Sequence, residues 1–494
     1  MKKKHWILLS LTALIGLFTS GKSDPFVANE DPLESFDDHL QLHWVDSVFN
    51  AMTFDERLGQ LFMVAAYSNK DQKHVDEISK LVKEENLGGL IFFQGGPNRQ
   101  ARLTNYYQAQ AKTPLMIAMD AEWGVGMRLD SVWNFPKAMT LGAVQNTDLI
   151  YEMGSEIARQ FKELGMHVNF APVVDVNSNP LNPVIGYRAF GENKDRVTQR
   201  AVAYMKGLQE NGIIANAKHF PGHGDTETDS HYDLPVIKHA EKRIWDIDLY
   251  PYQALFRENL MSVMVAHLNV PSLDNGANIP TSLSKPVVTD LLQNRMNFQG
   301  LIFTDALNMK GVANFSRPGE VDLKALLAGN DVLLYSQDVT KAKALIKDAI
   351  AQGMISENEI NRRVKKILKA KYWARLNEYK PLDTYKIADR ITTEKTKEIV
   401  EKLYADAITV ASNKDDLLPF KQLDMKKIAS LTIGDEGKAF SQYLNKYTAV
   451  DHFTIPKASN ETTHYNLMKQ LEDYDVVVVG MMGITNSPQR AFGV

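Results

Sequence analysis

The chain is organised around the stretch IIANAKHFPGHGDTETDSH, residues 213–231, which joins a strand-like run to a loop of titratable side chains. The apolar run 213–217 predicts a buried strand, and the proline and glycines that follow exclude a helix directly after it. Three histidines and three carboxylates lie in the loop. Imidazoles titrate near pH 7 and glycines let the backbone turn sharply, so this stretch predicts a catalytic or binding site.

The residue types alone leave two chemical interpretations of the loop. A metal site would use His219, His223 and Asp229, but two histidines at this spacing face one ion only on a helix, which the Pro-Gly pair between them excludes. An acid/base pair would use His231 and Asp229, the carboxylate fixing the tautomer while the second ring nitrogen exchanges a proton with substrate. A solvated loop without chemistry is the structural alternative.

The same unit recurs along the chain: an apolar run, a polar or glycine-containing cluster, and an amphipathic stretch of helical period. The eight apolar runs are residues 58–66, 89–93, 115–119, 168–174, 213–217, 262–266, 301–304 and 332–335. Helical patterns cover residues 147–164, 195–210, 241–259, 284–296 and 320–328, with Thr147 and Ser284 predicted as caps. Eight alternating units in about 300 residues predict an α/β fold with a parallel (β/α)8 barrel of the TIM type.

Polar side chains lie at or just after the ends of five of these runs. They are Asp120, Asp175, Lys218 with His219, His267 and Asp305. Because the carboxyl ends of parallel strands meet on one face of a barrel, these residues predict a single pocket.

Composition limits the class of function. The chain has 494 residues, of which 44% are hydrophobic, and its 56 basic and 60 acidic residues give a formal charge of −4. This length predicts more than one domain. The charge balance, with no basic run beyond the N-terminus, argues against nucleic acid and anionic membranes as partners. The absence of cysteine excludes disulfides, thiol catalysis and cysteine-ligated metals.

The N-terminus predicts an exported bacterial protein, periplasmic or extracellular. Three lysines at residues 2–4 precede an apolar run at 6–18, which has the length of a signal-peptide core and is short for a membrane span. An uncleaved anchor is the alternative. The predicted division of the chain is a signal peptide at 1–23, an acidic leader at 24–50, the barrel at 51–376, a linker at 377–392, and a second, sandwich-like α/β domain at 393–494.

Several features predict that second domain. A helical pattern at 393–409 opens it, and strand-like runs follow at 428–433 and 475–481. The sequence stops shortly after a strand of the buried type, so we expect the domain to lack its remaining strands.

These motifs resemble those of family 3 glycoside hydrolases, specifically the β-N-acetylglucosaminidase branch. The resemblance covers residues 58–376. It is carried by KHFPGHG at 218–224 with Asp229-Ser230-His231 after it, NPVIGYRAFG at 182–191, FAPVVD at 170–175 and FTDALNM at 303–309.

The resemblance implies a retaining mechanism inside the barrel. Asp305 would be the nucleophile that forms a glycosyl-enzyme ester, and His231, held by Asp229, would be the general acid/base in place of the usual second carboxylate. Asp305 must stay ionised for this role, and nearby cations such as Lys218 or Arg188 would favour that form. An aspartate that caps the following turn is the structural alternative.

The same resemblance implies that Asp120, Arg188, Lys218 and His219 hold the sugar ring through charged hydrogen bonds. For Arg188 and Lys218, a salt bridge to a neighbouring carboxylate is the alternative.

Three further residues have less specific expectations. Asp175 is expected to bridge the basic residues or to touch the sugar, and His267 is expected in the core or behind the site. Trp123 stacks on sugar or simply packs.

The resulting prediction is a β-N-acetylhexosaminidase that removes terminal β-linked N-acetylglucosamine from muropeptides or chito-oligosaccharides, with no cofactor, no metal and a carbohydrate as its partner. A family 3 β-glucosidase, which recruits its acid/base from the second domain, and an N-acetylglucosamine phosphorylase are the nearest alternatives. A metal-dependent hydrolase and a non-catalytic cell-wall-binding module are more distant ones.

Overall fold

The computed structural model describes residues 31–228, 234–276, 278–313 and 315–485. The predicted signal peptide at 1–23 therefore lies outside the described residues, and so do Asp229 and His231. Every helix within the described ranges is too short or too polar to cross a lipid bilayer.

Eight parallel strands form the central sheet, with each strand next to its neighbour in sequence and the eighth beside the first. They are β1 Phe62–Tyr67, β2 Gly89–Phe93, β3 Met116–Met119, β4 Val168–Asn169, β5 Ile214–Phe220, β6 Ser262–Val265, β7 Leu301–Thr304 and β8 Leu333–Leu334. Phe303 bridges Val332, and the N–H of Thr304 donates to the Val332 carbonyl at 3.1 Å, which closes β7 onto β8. The predicted (β/α)8 barrel is confirmed.

Helices follow the strands and surround the barrel. The α-helices are Asp38–Ala51, Phe54–Gly59, Gln72–Glu85, Pro97–Gln108, Ala138–Ala143, Thr147–Glu163, Lys194–Gln209, Glu241–Arg243, Tyr250–Arg257, Lys310–Ala313, Glu320–Ala328, Val339–Ala351, Glu357–Trp373, Ile387–Ile391, Glu394–Ala407, Lys438–Leu444 and Glu461–Leu471. The π-helices are Ile244–Asp248 and Pro286–Arg295, and short 3₁₀ turns include Val125–Met127 and Gly186–Arg188.

Two strands differ from the predicted runs. β4 is shorter than the run 168–174, because the Ala171 N–H turns back to the Asn169 carbonyl at 2.8 Å and Pro172 after it has no N–H to give to a neighbouring strand. β5 is longer than the run 213–217, since Lys218 donates its N–H to the Pro172 carbonyl and the strand continues to Phe220. Lys218 and His219 therefore lie near the carboxyl end of β5 rather than in the loop after it.

The helix ends agree with the sequence prediction at one of the two expected caps. Thr147 is not the cap of its helix; Asn146 is, and its side-chain oxygen accepts from the Asp148 N–H at 3.0 Å. Ser284 does accept from the Val287 N–H, at 3.3 Å. The single helix predicted at 241–259 is interrupted, because Pro251 cannot donate to the preceding turn.

The chain after the barrel packs partly on the barrel itself. Ile387 and Ile391, in the predicted linker, and Ile399, in the helix Glu394–Ala407, belong to the same buried cluster as the barrel strands. Beyond them lies a smaller parallel sheet with the order β10-β9-β11, formed by β9 Ile428–Ile433, β10 Val450–Ile455 and β11 Val476–Met481. The second α/β unit is thus present, while the division into domains at 377–392 stays a prediction.

Candidate active site

A cavity of 530 Å³ opens at the carboxyl ends of the barrel strands. Four of the predicted site residues line it from three strands: Asp120 after β3, Lys218 and His219 on β5, and Asp305 after β7. Arg188 reaches it from the loop after β4. The face of the barrel on which a site was expected is therefore the face where the cavity lies.

Lys218 lies between two carboxylates that both follow β3. Its ammonium is 2.8 Å from Asp120 Oδ1 and 2.9 Å from Glu122 Oε1, and only 2% of the side chain is exposed. Burial would raise the pKa of Asp120, but Lys218 and Arg128 lower it below its ordinary value. Arg128, 2.8 Å from Asp120 Oδ2, thus completes a charged hydrogen-bonding wall that can bind sugar hydroxyls.

Arg188 forms a two-pronged ion pair with Glu122. Its Nη2 and Nε lie 2.6 and 3.0 Å from the two oxygens of that carboxylate. Burial would raise the pKa of Glu122, but Arg188 and Lys218 lower it strongly. Arg188 and Lys218 therefore make the salt bridges that the sequence left as an alternative, and they line the cavity as well.

The sequence reasoning did not single out Glu122 or Arg128. Both stand in the motif Asp120-Ala121-Glu122-Trp123-Gly124-Val125-Gly126-Met127-Arg128, at the end of a buried run. A second carboxylate two residues after Asp120 was the signal that could have found Glu122, since two buried cations need more than one counter-charge.

Asp175 holds both histidines of the KHFPGH motif. Its Oδ2 lies 2.7 Å from His219 Nδ1, and its Oδ1 accepts from the His223 N–H at 2.7 Å. Asp175 is 1% exposed, so it lies behind His219. Of the two roles considered for Asp175, the geometry shows contact with the basic residues.

Both the ring and the backbone of His223 make hydrogen bonds that stabilise the loop. Its Nδ1 lies 2.8 Å from Thr226 Oγ1, and its carbonyl accepts from the Asn182 side chain at 2.8 Å. Burial, together with the charge of His219, lowers the pKa of His223 to about 4. At neutral pH its ring is uncharged and supports the loop that leads to residue 228.

The loop after β5 depends on close backbone contact. A side chain at Gly224 would place its Cβ 1.9 Å from the Val176 carbonyl oxygen, so the loops after β4 and β5 can meet only if this residue is glycine. Asn182 joins the same two loops through its side-chain hydrogen bond to the His223 carbonyl. Its Oδ1 also accepts from the Val184 and Ile185 N–H groups, which orients the turn that carries Arg188.

The metal interpretation meets an electrostatic obstacle at His219. Arg188 Nη2 lies 3.3 Å from His219 Nε2, so a guanidinium occupies the side of the ring that a cation would need. Within the described ranges no three His, Asp or Glu side chains are grouped as metal ligands, and Asp229 lies outside them.

Asp305 follows β7 and faces the cavity. Removal from bulk water would raise the pKa of Asp305, but His267, His219, the Ala306 N–H and Lys218 together lower it below its ordinary value. The Ala306 N–H donates to Asp305 Oδ1 at 2.8 Å, so one oxygen is held by the backbone. The arrangement keeps an ionised carboxylate at the cavity wall, which is what nucleophilic attack requires.

His267 is buried behind Asp305. Its two ring nitrogens lie 2.7 Å from Ser282 Oγ and 3.1 Å from the Ala306 carbonyl oxygen. It thereby fixes the peptide next to Asp305, in keeping with the expected position behind the site.

Aromatic side chains form two further walls of the cavity. Trp123 and Tyr187 lie together on one side, with ring centroids 6.3 Å apart. On the other side the hydroxyls of Tyr67 and Tyr335 are 2.5 Å apart, and Phe93 stacks on Tyr67. Only Trp123 among these five was considered from the sequence. Tyr67, Phe93 and Tyr335 end apolar runs that look like core, and Tyr187 lies in the loop after β4.

Comparison with known proteins identifies the family of the chain. The model of the glycosyl hydrolase family 3 N terminal domain matches residues 53–370. The chain is 31% identical over 409 residues to "Beta-hexosaminidase A" of Pseudoalteromonas piscicida, an alignment that spans 75% of this chain and 67% of that protein.

Two solved structures are also similar. A glycoside hydrolase family 3 β-N-acetylglucosaminidase from Paenibacillus sp. str. FPU-7 superposes with a TM-score of 0.73 and 29% identity over 87% of this chain and 85% of that one. The β-glucoside phosphorylase BglX shares the fold, with a TM-score of 0.77 at 24% identity over 90% of this chain and 82% of that one. The chain belongs to glycosyl hydrolase family 3 and is a glycoside hydrolase.

Proposed function

We propose that this glycoside hydrolase is a retaining β-N-acetylhexosaminidase that hydrolyses terminal β-linked N-acetylglucosamine. The observation that carries the proposal is the state of Asp305, a carboxylate at the wall of a polar cavity with its pKa lowered. An ionised carboxylate there can attack the anomeric carbon of a bound sugar and form a glycosyl ester. Similarity to proteins named β-hexosaminidase and β-N-acetylglucosaminidase supports the choice of sugar.

The charged wall of the cavity would bind the terminal sugar. Asp120, after β3, and Lys218, on β5, offer an acceptor and a donor 2.8 Å apart, and Arg188 and His219 line the same cavity. Because each of these groups is already held by a partner, little side-chain freedom is lost when a sugar hydroxyl binds.

His231 is our choice of general acid/base, with Asp229 as its support. Both lie outside the described residues, so the assignment rests on the motif and on the fate of the other histidines. His219 Nδ1 contacts Asp175, and His223 Nδ1 contacts Thr226, with the pKa of His223 lowered to about 4. The His223 ring is therefore uncharged near pH 7, and at His219 the nitrogen not held by Asp175 lies 3.3 Å from Arg188 Nη2, so a guanidinium stands where a substrate oxygen would have to approach.

We also propose that the protein acts outside the cytoplasm, on muropeptides or chito-oligosaccharides. The motivation is the lysine-led apolar run at residues 6–18. Detection of the mature protein in a periplasmic or culture fraction, with its N-terminus sequenced, tests this part separately.

Substitution of Asp305 tests the chemical part. Asp305→Asn should lower turnover of 4-nitrophenyl β-N-acetylglucosaminide by about 10⁴-fold, while calorimetry with N-acetylglucosamine should show binding within a few fold of the parent. Asp130→Asn, which removes an exposed carboxylate paired with Arg99, is the matched control and should leave turnover unchanged.

The nature of the sugar is tested with the parent enzyme. We expect a higher kcat/KM for the N-acetylglucosaminide than for 4-nitrophenyl β-glucoside. A preference for the glucoside would contradict the hexosaminidase assignment and favour the β-glucosidase alternative.

A further inference from the structure

A second cavity lies next to the catalytic one and shares a wall with it. Its volume is 380 Å³, and Trp123 and Tyr187 line both cavities. The helix Glu394–Ala407, which follows the barrel, contributes Tyr404 to the far side. A molecule bound in the catalytic cavity and extending past Trp123 and Tyr187 would enter this second cavity.

The wall between the two cavities is held in place by the backbone. The Phe135 N–H donates to the Trp123 carbonyl at 3.1 Å. A Cβ at Gly124, whose φ is +87°, would lie 2.8 Å from the Phe135 ring, so the loop packs tightly against Phe135. On the other side, Tyr187 contacts Trp123 and precedes Arg188, which is held by Glu122 at 2.6 Å. The aromatic wall is therefore preformed rather than assembled by a ligand.

Lys137 is the charged side chain that lines the second cavity. Lys137 Nζ lies 4.3 Å from the centroid of the Tyr187 ring and 5.4 Å from that of Trp123. Among the described residues no carboxylate pairs with Lys137, and none lines this cavity. The Lys137 ammonium thus lies against two aromatic rings and can still pair with an anion.

The remaining lining suits a sugar. Asn134 and Thr140 supply an amide and a hydroxyl, and the ring of Tyr404 is half exposed. Aromatic faces with a few hydrogen-bonding groups are typical of small-molecule sites that bind an amphipathic ring.

We propose that this second cavity binds the leaving-group sugar of the substrate, and that Lys137 selects a sugar ring that carries a carboxylate. The proposal rests on the proposed function, because a terminal sugar held by Asp120 and Lys218 leaves only the outward direction for the rest of the substrate. A neutral chitin fragment would gain the ring contacts but would leave the ammonium unpaired.

The test compares two substrates that differ only in that charge. The first is N-acetylglucosamine β-1,4-linked to N-acetylmuramic acid, whose lactyl ether carries a carboxylate, and the second is its methyl ester. In the full-length enzyme, Lys137→Met should lower kcat/KM for the acid about fivefold and leave that for the ester unchanged. Lys137→Arg should keep the preference for the acid.

A matched lysine controls for net charge. Lys395, on the helix that carries Tyr404 but outside the cavity lining, is 55% exposed. Lys395→Met should leave the ratio of the two substrates unchanged. Equal losses on acid and ester in Lys137→Met, or an equal shift in Lys395→Met, would overturn the proposal.

The outcome is separable from that of the proposed function. Hydrolysis of 4-nitrophenyl β-N-acetylglucosaminide does not need the second cavity. A parent enzyme that fails to hydrolyse this substrate would therefore contradict the proposed hexosaminidase activity and leave the second cavity to be tested by binding. If the parent enzyme cleaves neither disaccharide, calorimetric titration with the same acid and ester decides. Tighter binding of the acid that is lost in Lys137→Met supports the second cavity, and equal binding of acid and ester rejects it.

Discussion

Arg188 and Glu122 form a buried, two-pronged ion pair in the catalytic cavity, with contacts of 2.6 and 3.0 Å that join the loop after β4 to the loop after β3. The pair is shared with Lys218, whose ammonium contacts the same Oε1 at 2.9 Å. One carboxylate therefore orients two of the cations that are proposed to bind sugar, and removing it leaves both without that counter-charge.

Glu122→Gln is accordingly expected to be costly. It leaves Arg188 and Lys218 buried with one negative charge fewer, and breaking a buried pair costs about 3 kcal/mol of unfolding free energy. We expect that loss in urea denaturation, together with a higher KM for the aryl N-acetylglucosaminide.

Glu163→Gln is the matched control, because Glu163 pairs with Arg390 at 2.8 Å on a more exposed part of the barrel. It should cost less than about 1 kcal/mol. Equal losses of unfolding free energy in the two variants would show that the buried Glu122 pair contributes no more to stability than the more exposed Glu163 pair.

Lys371, on the helix Glu357–Trp373, predicts a pH dependence of stability. Burial lowers the pKa of Lys371 to about 7 from an ordinary value of 10.5, and its ammonium contacts only the neutral Gln60 side chain at 2.6 Å among the described hydrogen-bonding groups. Between pH 7 and 10.5 the unfolded chain binds a proton that the folded chain does not. The unfolding free energy should therefore rise with pH across this window, by about 1.4 kcal/mol per pH unit from this group.

Lys371→Met should remove that contribution. Urea denaturation at pH 7.5 and 9.0 should show a difference between the two pH values that is about 2 kcal/mol smaller in the variant than in the parent. Lys365→Met, which removes a half-exposed lysine paired with Asp46, should keep the parental difference. An unchanged difference in Lys371→Met would mean that the buried amine is charged in the folded state.

Truncation tests which part of the chain supports the catalytic cavity. A chain ending at residue 376 loses Ile387, Ile391 and Ile399, which are buried against the barrel core, so we expect it to be poorly stable. A chain ending at residue 411 keeps the helix Glu394–Ala407 and should hydrolyse aryl N-acetylglucosaminides, because both proposed catalytic residues lie in the barrel segment. A folded but inactive 1–411 chain would show that the later sheet supplies part of the site.

The proposed pair of His231 and Asp229 predicts a dependence on the leaving group. His231→Ala should slow hydrolysis severely for poor leaving groups, which need a proton, and only mildly for nitrophenolates. Azide should partly restore the rate and give a glycosyl azide of retained configuration. Asp229→Ala should show the same pattern more weakly, since the ring remains. A uniform loss for all leaving groups, with recovery on addition of zinc, would favour the metal interpretation.

Much of the fold was readable from sequence because strand and helix signals alternated. The runs at 89–93 and 301–304 are β2 and β7 without change, since apolar residues bounded by glycines and polar residues give clear ends. The end of β5 was misplaced because Lys218 and His219 read as loop. Lys218 is buried in a strand only because Asp120 and Glu122 meet it there, and such pairing across 98 residues has no local signature.

The site was readable where strand ends carried unusual polar residues, as at Asp120 and Asp305. It was not readable where function comes from contacts between loops. Trp123 and Tyr187 form one wall only because the loops after β3 and β4 meet, and Lys137 gains its place over their rings from the same packing. Of these residues the sequence singled out only Trp123, because Tyr187 and Lys137 alone look like ordinary core or surface residues.

Covalent labelling of the nucleophile is the most direct test of the central claim. A fluorinated N-acetylglucosaminide that forms the glycosyl-enzyme quickly and releases it slowly should label the parent protein once. Peptide mass spectrometry should place the label on Asp305, and Asp305→Asn should not be labelled. A label on Asp225 or Glu227 in the loop after β5, or no label while turnover proceeds, would contradict the assignment of Asp305 as the nucleophile.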